Sequence, residues 1–195
     1  MKTTYPLTAK GFTLIETLFA ILIFSAALIS LLTISAKGIA ATNEAKNEST
    51  AFYLSQEGLE VARNVRDSNF VVGTSTSPVD WMSGIVGGSA GCETVSGCYV
   101  SYGVNTPPVL EQNSGSGPTS TAEVHLTGSG QYGNGGADTG FSRVITVKQA
   151  SSTQNLQMIA SGGDGEEYEV TSKVSWSDKG IIHSVQLVTF LKKWQ

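Results

Sequence analysis

An uncharged apolar segment near the N-terminus constrains this chain more than any other feature. Residues 17–36 carry no charge, and residues 12–36 read FTLIETLFAILIFSAALISLLTISA. As a helix, the longer run would measure about 37 Å at 1.5 Å per residue, which is enough to cross a hydrocarbon core of about 30 Å. Lys2 and Lys10 lie on the short N-terminal side, so we expect that end to stay in the cytoplasm and the body to lie outside. The run is therefore predicted to be a single membrane-spanning helix.

The stretch that precedes this segment, MKTTYPLTAKG, is short, polar and basic. An ordinary secretory signal has an apolar core of about 7 to 15 residues followed by a small-residue cleavage site, and the present apolar run is too long for that. An uncleaved signal anchor is one alternative. The order of features favours a different arrangement, in which residues 1–11 form a leader that is cut off between Gly11 and Phe12.

Glu16 is the one charged residue inside the apolar run. A carboxylate costs roughly 2.5 to 3.5 kcal/mol at the centre of a membrane helix, and less near its end, so such a residue usually has a partner. The free α-amino group of a cleaved Phe12, supplied by a neighbouring subunit, would be that partner. The alternative is a carboxylate that merely reaches the membrane interface.

The hexapeptide GFTLIE at residues 11–16 resembles the cleavage and methylation signal of type IV pilins and type II secretion pseudopilins. The resemblance implies that a prepilin peptidase cuts the bond between Gly11 and Phe12 and that the new amine of Phe12 is methylated. It also implies that Glu16 acts in assembly, by contacting the N-terminus of an adjacent subunit. Many major pilins carry a proline at the position of Thr33, so the present sequence favours a minor subunit.

The helix is predicted to continue through residues 37–70 as an amphipathic segment. No proline interrupts it, and strong helix formers dominate. Apolar residues recur at helical spacing and define a face that should pack on a sheet, while the charged residues fall largely elsewhere. The packing face is predicted from Ala51, Leu54, Gly58, Val61 and Val65, with Phe52, Leu59 and Ala62 beside them; the charges are Glu48, Glu57, Glu60, Arg63 and Arg66. The run AFYLSQEGLEVARNVRDSNF also resembles PilV-type minor pilins and type II secretion I-subunits.

The remaining body, residues 71–195, is predicted to be rich in β-structure, with irregular loops within 71–140. Glycine, serine, threonine and proline punctuate residues 73–91 and 105–120, and GSGQYGNGGADTG at 128–140 reads as a surface loop. The predicted strands are Cys98–Val104, Ala122–Leu126, Phe141–Lys148, Tyr168–Trp176 and Ile181–Leu191, with a hairpin turn at Ser177–Gly180. The expected fold class is α+β, a long N-terminal helix packed on a mainly antiparallel sheet, as the resemblance also implies.

The sequence contains few motifs that indicate catalysis or the binding of a nucleotide or metal. No motif of a hydrolase, nucleotide-binding loop or metalloprotease is present, so neither an enzyme nor a cofactor is expected. His125 and His183 stand alone in strand patterns and read as polar or edge residues. Asp164, Glu166 and Glu167 offer oxygen ligands for calcium, although their spacing matches no EF-hand loop and favours a solvated turn.

Cys92 and Cys98 lie six residues apart in GCETVSGC. There is no CxxC pair and no nearby histidine to complete a zinc site. Export of the body favours a small disulfide loop, and two reduced thiols are the alternative.

Charge excludes one further class of protein. Without the leader the chain has 10 basic and 16 acidic residues, a net charge of −6. Proteins that grip phosphates normally show a basic stripe, so nucleic-acid binding is not expected.

These observations predict a structural minor subunit of a type IV pilus-like or type II secretion filament. It would be a single-pass membrane protein before assembly, and would then lie in a cell-surface or periplasmic filament. The resemblance implies other subunits, a prepilin peptidase, an inner-membrane platform and an assembly ATPase as partners. Two alternatives stay open: a plain bitopic membrane protein, and a filament-tip adhesin or binding module built on residues 71–140. The aromatic residues available to such a module are Trp81, Tyr99, Tyr102 and Tyr132.

Overall fold

In the part of the chain that it describes, the computed structural model has one long helix and seven strands. It describes residues 11–72, 80–87, 91–94, 96–102, 107–113, 122–127, 132–133, 136–150 and 167–193. The elements are α1 (Leu14–Val72), β1 (Cys98–Ser101), β2 (Val109–Gln112), β3 (Glu123–Leu126), β4 (Tyr132–Gly133), β5 (Ala137–Gln149), β6 (Glu167–Asp178) and β7 (Ile181–Lys192). The chain divides into two compact units, Met1–Lys46 and Asn47–Gln195.

The helix α1 is continuous over 59 residues, which confirms the predicted uninterrupted helix. It begins after Thr13, whose carbonyl oxygen accepts a hydrogen bond from the backbone N–H of Glu16 at 3.1 Å. Hydroxyl groups within the apolar segment donate to carbonyl oxygens one turn earlier, as Ser30 does to Ala26 and Thr33 does to Ile29, both at 2.9 Å. These bonds satisfy the hydroxyls inside the helix, so polar side chains are compatible with an apolar surrounding.

In the second unit, one face of α1 is buried as the apolar spacing predicts. The buried residues are Ala51, Leu54, Ser55, Gly58, Leu59, Val61 and Ala62. Two details differ from the prediction. Phe52 is 40% exposed, because it lies on the flank of the helix beside Gln56. Glu57, predicted to lie away from the packing face, is instead half-buried against the sheet.

The sheet is antiparallel throughout, and its centre is the β5–β6–β7 meander. Strand β6 runs along one side of β5, while β1 and β3 pair with successive parts of its other side. Strand β2 extends the sheet beyond β1, and β4 extends it beyond β3. The α+β fold class is therefore confirmed: a long N-terminal helix accompanies a mainly antiparallel open sheet.

The last three predicted strands are present as β5, β6 and β7, and each is longer than predicted. The turn between β6 and β7 is also confirmed, since Lys179 and Gly180 adopt φ of 50° and 82°. Such a two-residue turn matches the twist of a hairpin. The predicted loops were wrong at β2, at β4 and at the first residues of β5. Strand β2 has a single buried residue, Leu110. Apolar and polar residues therefore do not alternate along it, and alternation is the pattern that identifies a strand.

The core of the second unit forms two clusters under the helix. The larger one joins the helix to the β1–β5–β6 region and takes in Trp81, Met82 and Ile85 from the segment after the helix. The smaller one gathers Ala51, Leu54, Val124, Phe141, Val174 and Trp176.

Candidate functional site

The predicted processing residues lie at the very start of the described chain. Gly11 and Phe12 precede the helix, and Phe12 is 81% exposed. Glu16 lies in the first helical turn. A carboxylate there is favoured by the partial positive charge of the helix N-terminus. The three residues are thus placed together, although cleavage, methylation and the pairing of Glu16 with a neighbouring amine stay predictions.

Every side chain of α1 from Leu14 to Lys46 is exposed in the first unit. The helix is long and apolar enough in this part to cross a membrane. Its large exposed apolar residues are Leu14, Ile15, Leu18, Phe19, Ile21, Leu22, Ile23, Phe24, Leu28, Ile29, Leu31, Leu32, Ile34 and Ile39. An apolar surface of this extent needs lipid or other protein around it.

The second unit contains a buried arginine that the sequence analysis missed. Arg143 on β5 is 2% exposed. Its guanidinium donates to a carboxylate oxygen of Glu57 at 2.7 Å and to the carbonyl oxygen of Leu54 at 3.0 Å. It also donates to the hydroxyl of Tyr102 at 2.9 Å, and that hydroxyl donates to the other oxygen of Glu57. A signal existed in the sequence, because Arg143 has the same parity as the buried apolar residues of β5.

The Glu57–Arg143–Tyr102 cluster fixes the helix on the sheet, because it joins α1, β5 and the residue that follows β1. Burial raises the pKa of Tyr102 to about 12, with the hydrogen bond to Glu57 acting in the same direction and Arg143 opposing both. The tyrosine hydroxyl therefore remains protonated, and able to donate, over the ordinary pH range.

A cleft of about 620 Å³ lies beside this cluster. Its lining includes three tyrosines, and the charge of Glu57 at its base is balanced by Arg143. The lining residues are Thr50, Tyr53, Leu54, Glu57, Tyr102 and Tyr132. Tyr102 and Tyr132 are among the aromatic residues that the sequence made available to a binding module, whereas Tyr53 is not.

The other two aromatic residues proposed for binding lie elsewhere. Trp81 is 4% exposed, and it packs against Phe70 and Tyr168 in the core, so its side chain is not available for contact with a ligand. Tyr99 donates a hydrogen bond to Glu111 on the neighbouring strand.

Cys92 and Cys98 are bonded to each other, with an S–S distance of 2.07 Å, and both are fully buried. The loop that they close lies beside β5, because the backbone N–H of Val147 donates to the carbonyl oxygen of Cys92. Cys98 is paired with Ile145 on the same strand. The cysteines thus anchor the segment before β1 to the sheet.

The histidines and acidic residues form no recognisable metal site in the described ranges. The imidazole of His183 stacks on the ring of Trp176, and His125 lies 3.8 Å from a carboxylate oxygen of Glu123. Of the three acidic residues weighed as calcium ligands, Glu167 pairs with Lys192 at 3.4 Å. Asp164 and Glu166 lie outside the described residues.

Comparison of the chain with models of known families, with curated proteins and with solved structures found no match.

Proposed function

We propose that this chain is a structural minor subunit of a type IV pilus-like filament or a type II secretion pseudopilus. The observation that carries the proposal is the order of three features: the GFTLIE signal, an apolar helical segment whose side chains are exposed as far as Lys46, and a second unit that contains the sheet. A prepilin peptidase would cut between Gly11 and Phe12 on the cytoplasmic side. The body would lie on the other side of the membrane.

Assembly would transfer the helix from lipid to a bundle of similar helices. Lateral packing of the apolar side chains provides the attraction, since it replaces lipid contacts with closely packed protein. Glu16 then sets the register, because an acid in an apolar surrounding is stabilised only where an amine can pair with it. A buried ion pair of this kind contributes more to specificity than to stability.

Intact-mass measurement of the protein isolated from cells with active prepilin peptidase tests the first step. We expect the mass of residues 12–195 plus one methyl group. Gly11→Ala is the control, because it should leave the leader in place by making the cleavage site a poorer substrate. An intact leader on the unmodified chain would favour the plain bitopic membrane protein.

Glu16→Gln tests the second step separately from the first. The substitution keeps the shape of the side chain and removes its charge, so we expect normal cleavage and failed incorporation into filaments. Thr17→Ala is the matched control on the same helical turn and should be incorporated. Normal incorporation of the Glu16→Gln variant would contradict the proposed pairing.

A second candidate function, a binding module, is favoured by the tyrosine-lined cleft. Its lining has no uncompensated charge, so an uncharged ligand with a flat apolar face, such as a sugar ring, fits it best. Tyr53→Ala should then reduce retention of the protein on a glycan array, whereas Tyr99→Ala, outside the cleft, should not. Equal retention of both variants would exclude this cleft.

A further inference from the structure

Strand β7 forms an edge of the sheet that lacks the usual protection. Among the described residues it pairs only with β6, through an uninterrupted register of twelve residue pairs. Residues 181–191 read IIHSVQLVTFL and contain neither a charge nor a proline. Natural sheet edges are commonly protected by charges, prolines or bulges, because an unprotected edge pairs with another chain. The edge of β7 has the chemistry of a strand that takes a partner.

The hairpin turn determines which backbone groups face outward from this edge. Asp178 and Ile181 close the two-residue turn, so they form a hydrogen-bonded pair, and such pairs alternate along the two strands. Odd-numbered residues of β7 therefore bond to β6. The N–H and C=O groups of the even-numbered residues point away from the sheet; these residues are Ile182, Ser184, Gln186, Val188 and Phe190.

The edge strand exposes three large apolar side chains on one of its faces. Ile182, Val188 and Phe190 are 78%, 46% and 41% exposed. They lie on the face away from the helix, because Thr189, of the opposite parity, accepts a hydrogen bond from Arg63 of α1. On the helix side, a groove of about 560 Å³ runs between α1 and Leu187. The charged groups that line it, Glu57, Glu60 and Arg63, all take part in ion pairs within the chain.

We propose that β7 pairs antiparallel with β7 of a second copy of this chain. The charges favour this occupant: a neutral groove and an uncharged edge suit an uncharged strand, and residues 181–191 of β7 form such a strand, with Lys192 at its end paired to Glu167 of the same chain. If residues 181–191 of the two copies overlap fully, the pairing is centred on Gln186, which is one of the even-numbered residues. Its backbone groups point outward, as a hydrogen-bonded pair on a twofold axis requires.

The cross-strand neighbours in this register are compatible. Ile182 would face Phe190 of the second copy, and Ser184 would face Val188, so apolar surface is covered at both ends. Lys192 would face Gly180, so no like charges are opposed within β7; Lys193, beyond the strand, would come opposite Lys179 in the turn, where both side chains are exposed to water. The inference depends only on the second unit and stands whether or not the chain enters a filament.

Single cysteines introduced into the full-length chain test the register, since the two native cysteines are bonded to each other. Gln186→Cys places two thiols opposite each other with Cα atoms about 5.5 Å apart, a distance that suits a disulfide. We expect mild oxidation of membranes containing this variant to give a disulfide-linked dimer. Ser184→Cys and Val188→Cys should each give none, because each thiol lies roughly 13 Å from its own copy. Co-expression of the two should give the dimer.

Equal cross-linking at all three positions, or no dimer at any, would overturn the proposal, as would a cross-link to a different protein. Charged residues introduced at the exposed Gln186 test the same interface without cysteines. Gln186→Lys and Gln186→Glu should each yield monomers in detergent, and their mixture should yield a heterodimer. A mixture that stays monomeric while the unmodified chain dimerises would place the interface elsewhere.

Discussion

The guanidinium of Arg143 lies 2.7 Å from the carboxylate of Glu57, and this ion pair links the helix to the central strand of the sheet. The two residues differ in burial, since the side chain of Arg143 is 3% exposed and that of Glu57 is 38% exposed. Removing the side chain of Glu57 and removing that of Arg143 should therefore lower the free energy of unfolding by different amounts. A buried cation without its anion is costly, whereas a carboxylate that reaches water can be hydrated.

Glu57→Ala should lower the free energy of unfolding by about 2 to 3 kcal/mol, somewhat less than a fully buried broken pair costs, because Glu57 is partly hydrated. Arg143→Met should lower it by no more than about 1 kcal/mol, since a methionine fills much of the space without a charge. Urea unfolding followed by tryptophan fluorescence measures both, because Trp81 and Trp176 are buried. An equal loss for the two variants would contradict the asymmetry.

Tyr102 should make stability fall at high pH. Its pKa is raised to about 12 in the folded chain from an ordinary value near 10. The folded state therefore retains the proton longer than the unfolded state, so the contribution is complete below pH 10 and is lost as pH rises towards 12. Tyr102→Phe should remove this part of the pH dependence in urea titrations between those values. Tyr53→Phe, which removes the hydroxyl of a mostly exposed tyrosine, is the control, and an unchanged slope in the Tyr102→Phe variant would exclude the role.

Gly58 admits close approach of the helix to the sheet. A Cβ atom there would lie 2.6 Å from the hydroxyl oxygen of Ser172 and 3.2 Å from Cδ1 of Ile145. Gly58→Ala should therefore destabilise the chain by about 1 to 3 kcal/mol in spite of the better helix propensity of alanine.

Two variants separate crowding from helix propensity in the same unfolding measurement. Gly38→Ala, at a helical position with nothing within 4 Å, should be neutral or stabilising. Adding Ser172→Ala to Gly58→Ala should restore part of the loss, because it removes the nearest atom. Failure of both expectations would show that packing at Gly58 is not tight.

The Cys92–Cys98 bond should stabilise the second unit. Closing a loop of this length restricts the unfolded chain and contributes roughly 2 kcal/mol. The Cys92→Ala, Cys98→Ala double variant should unfold at correspondingly lower urea concentration, and reductant should shift the unmodified chain but not the variant. Thiol titration of the denatured, unreduced protein should find no free thiol, and two free thiols would favour the reduced alternative.

The sequence predicted the parts of the fold that depend on neighbouring residues, and it missed parts that depend on residues far apart in the chain. The packing face around Ala51 and the alternation in β5, β6 and β7 were predictable, because side-chain direction repeats with a fixed local period. Strand β2 and the start of β5 were missed, since pairing with a neighbouring strand forms them without a clear alternation of their own. The sequence left Trp81 available for binding, because its burial depends on contacts with the distant Tyr168 as well as with Phe70.

The sequence by itself determined the N-terminal signal, the apolar helix and the type of each major element, because these depend on neighbours within a few turns or strand residues. Only the tertiary structure decided which groups meet across the chain. Arg143 reaches Glu57 across 86 residues of sequence, and β7 becomes an edge through the order of the strands. Those relationships arise from long-range packing, in which each contact depends on how all the other elements are placed.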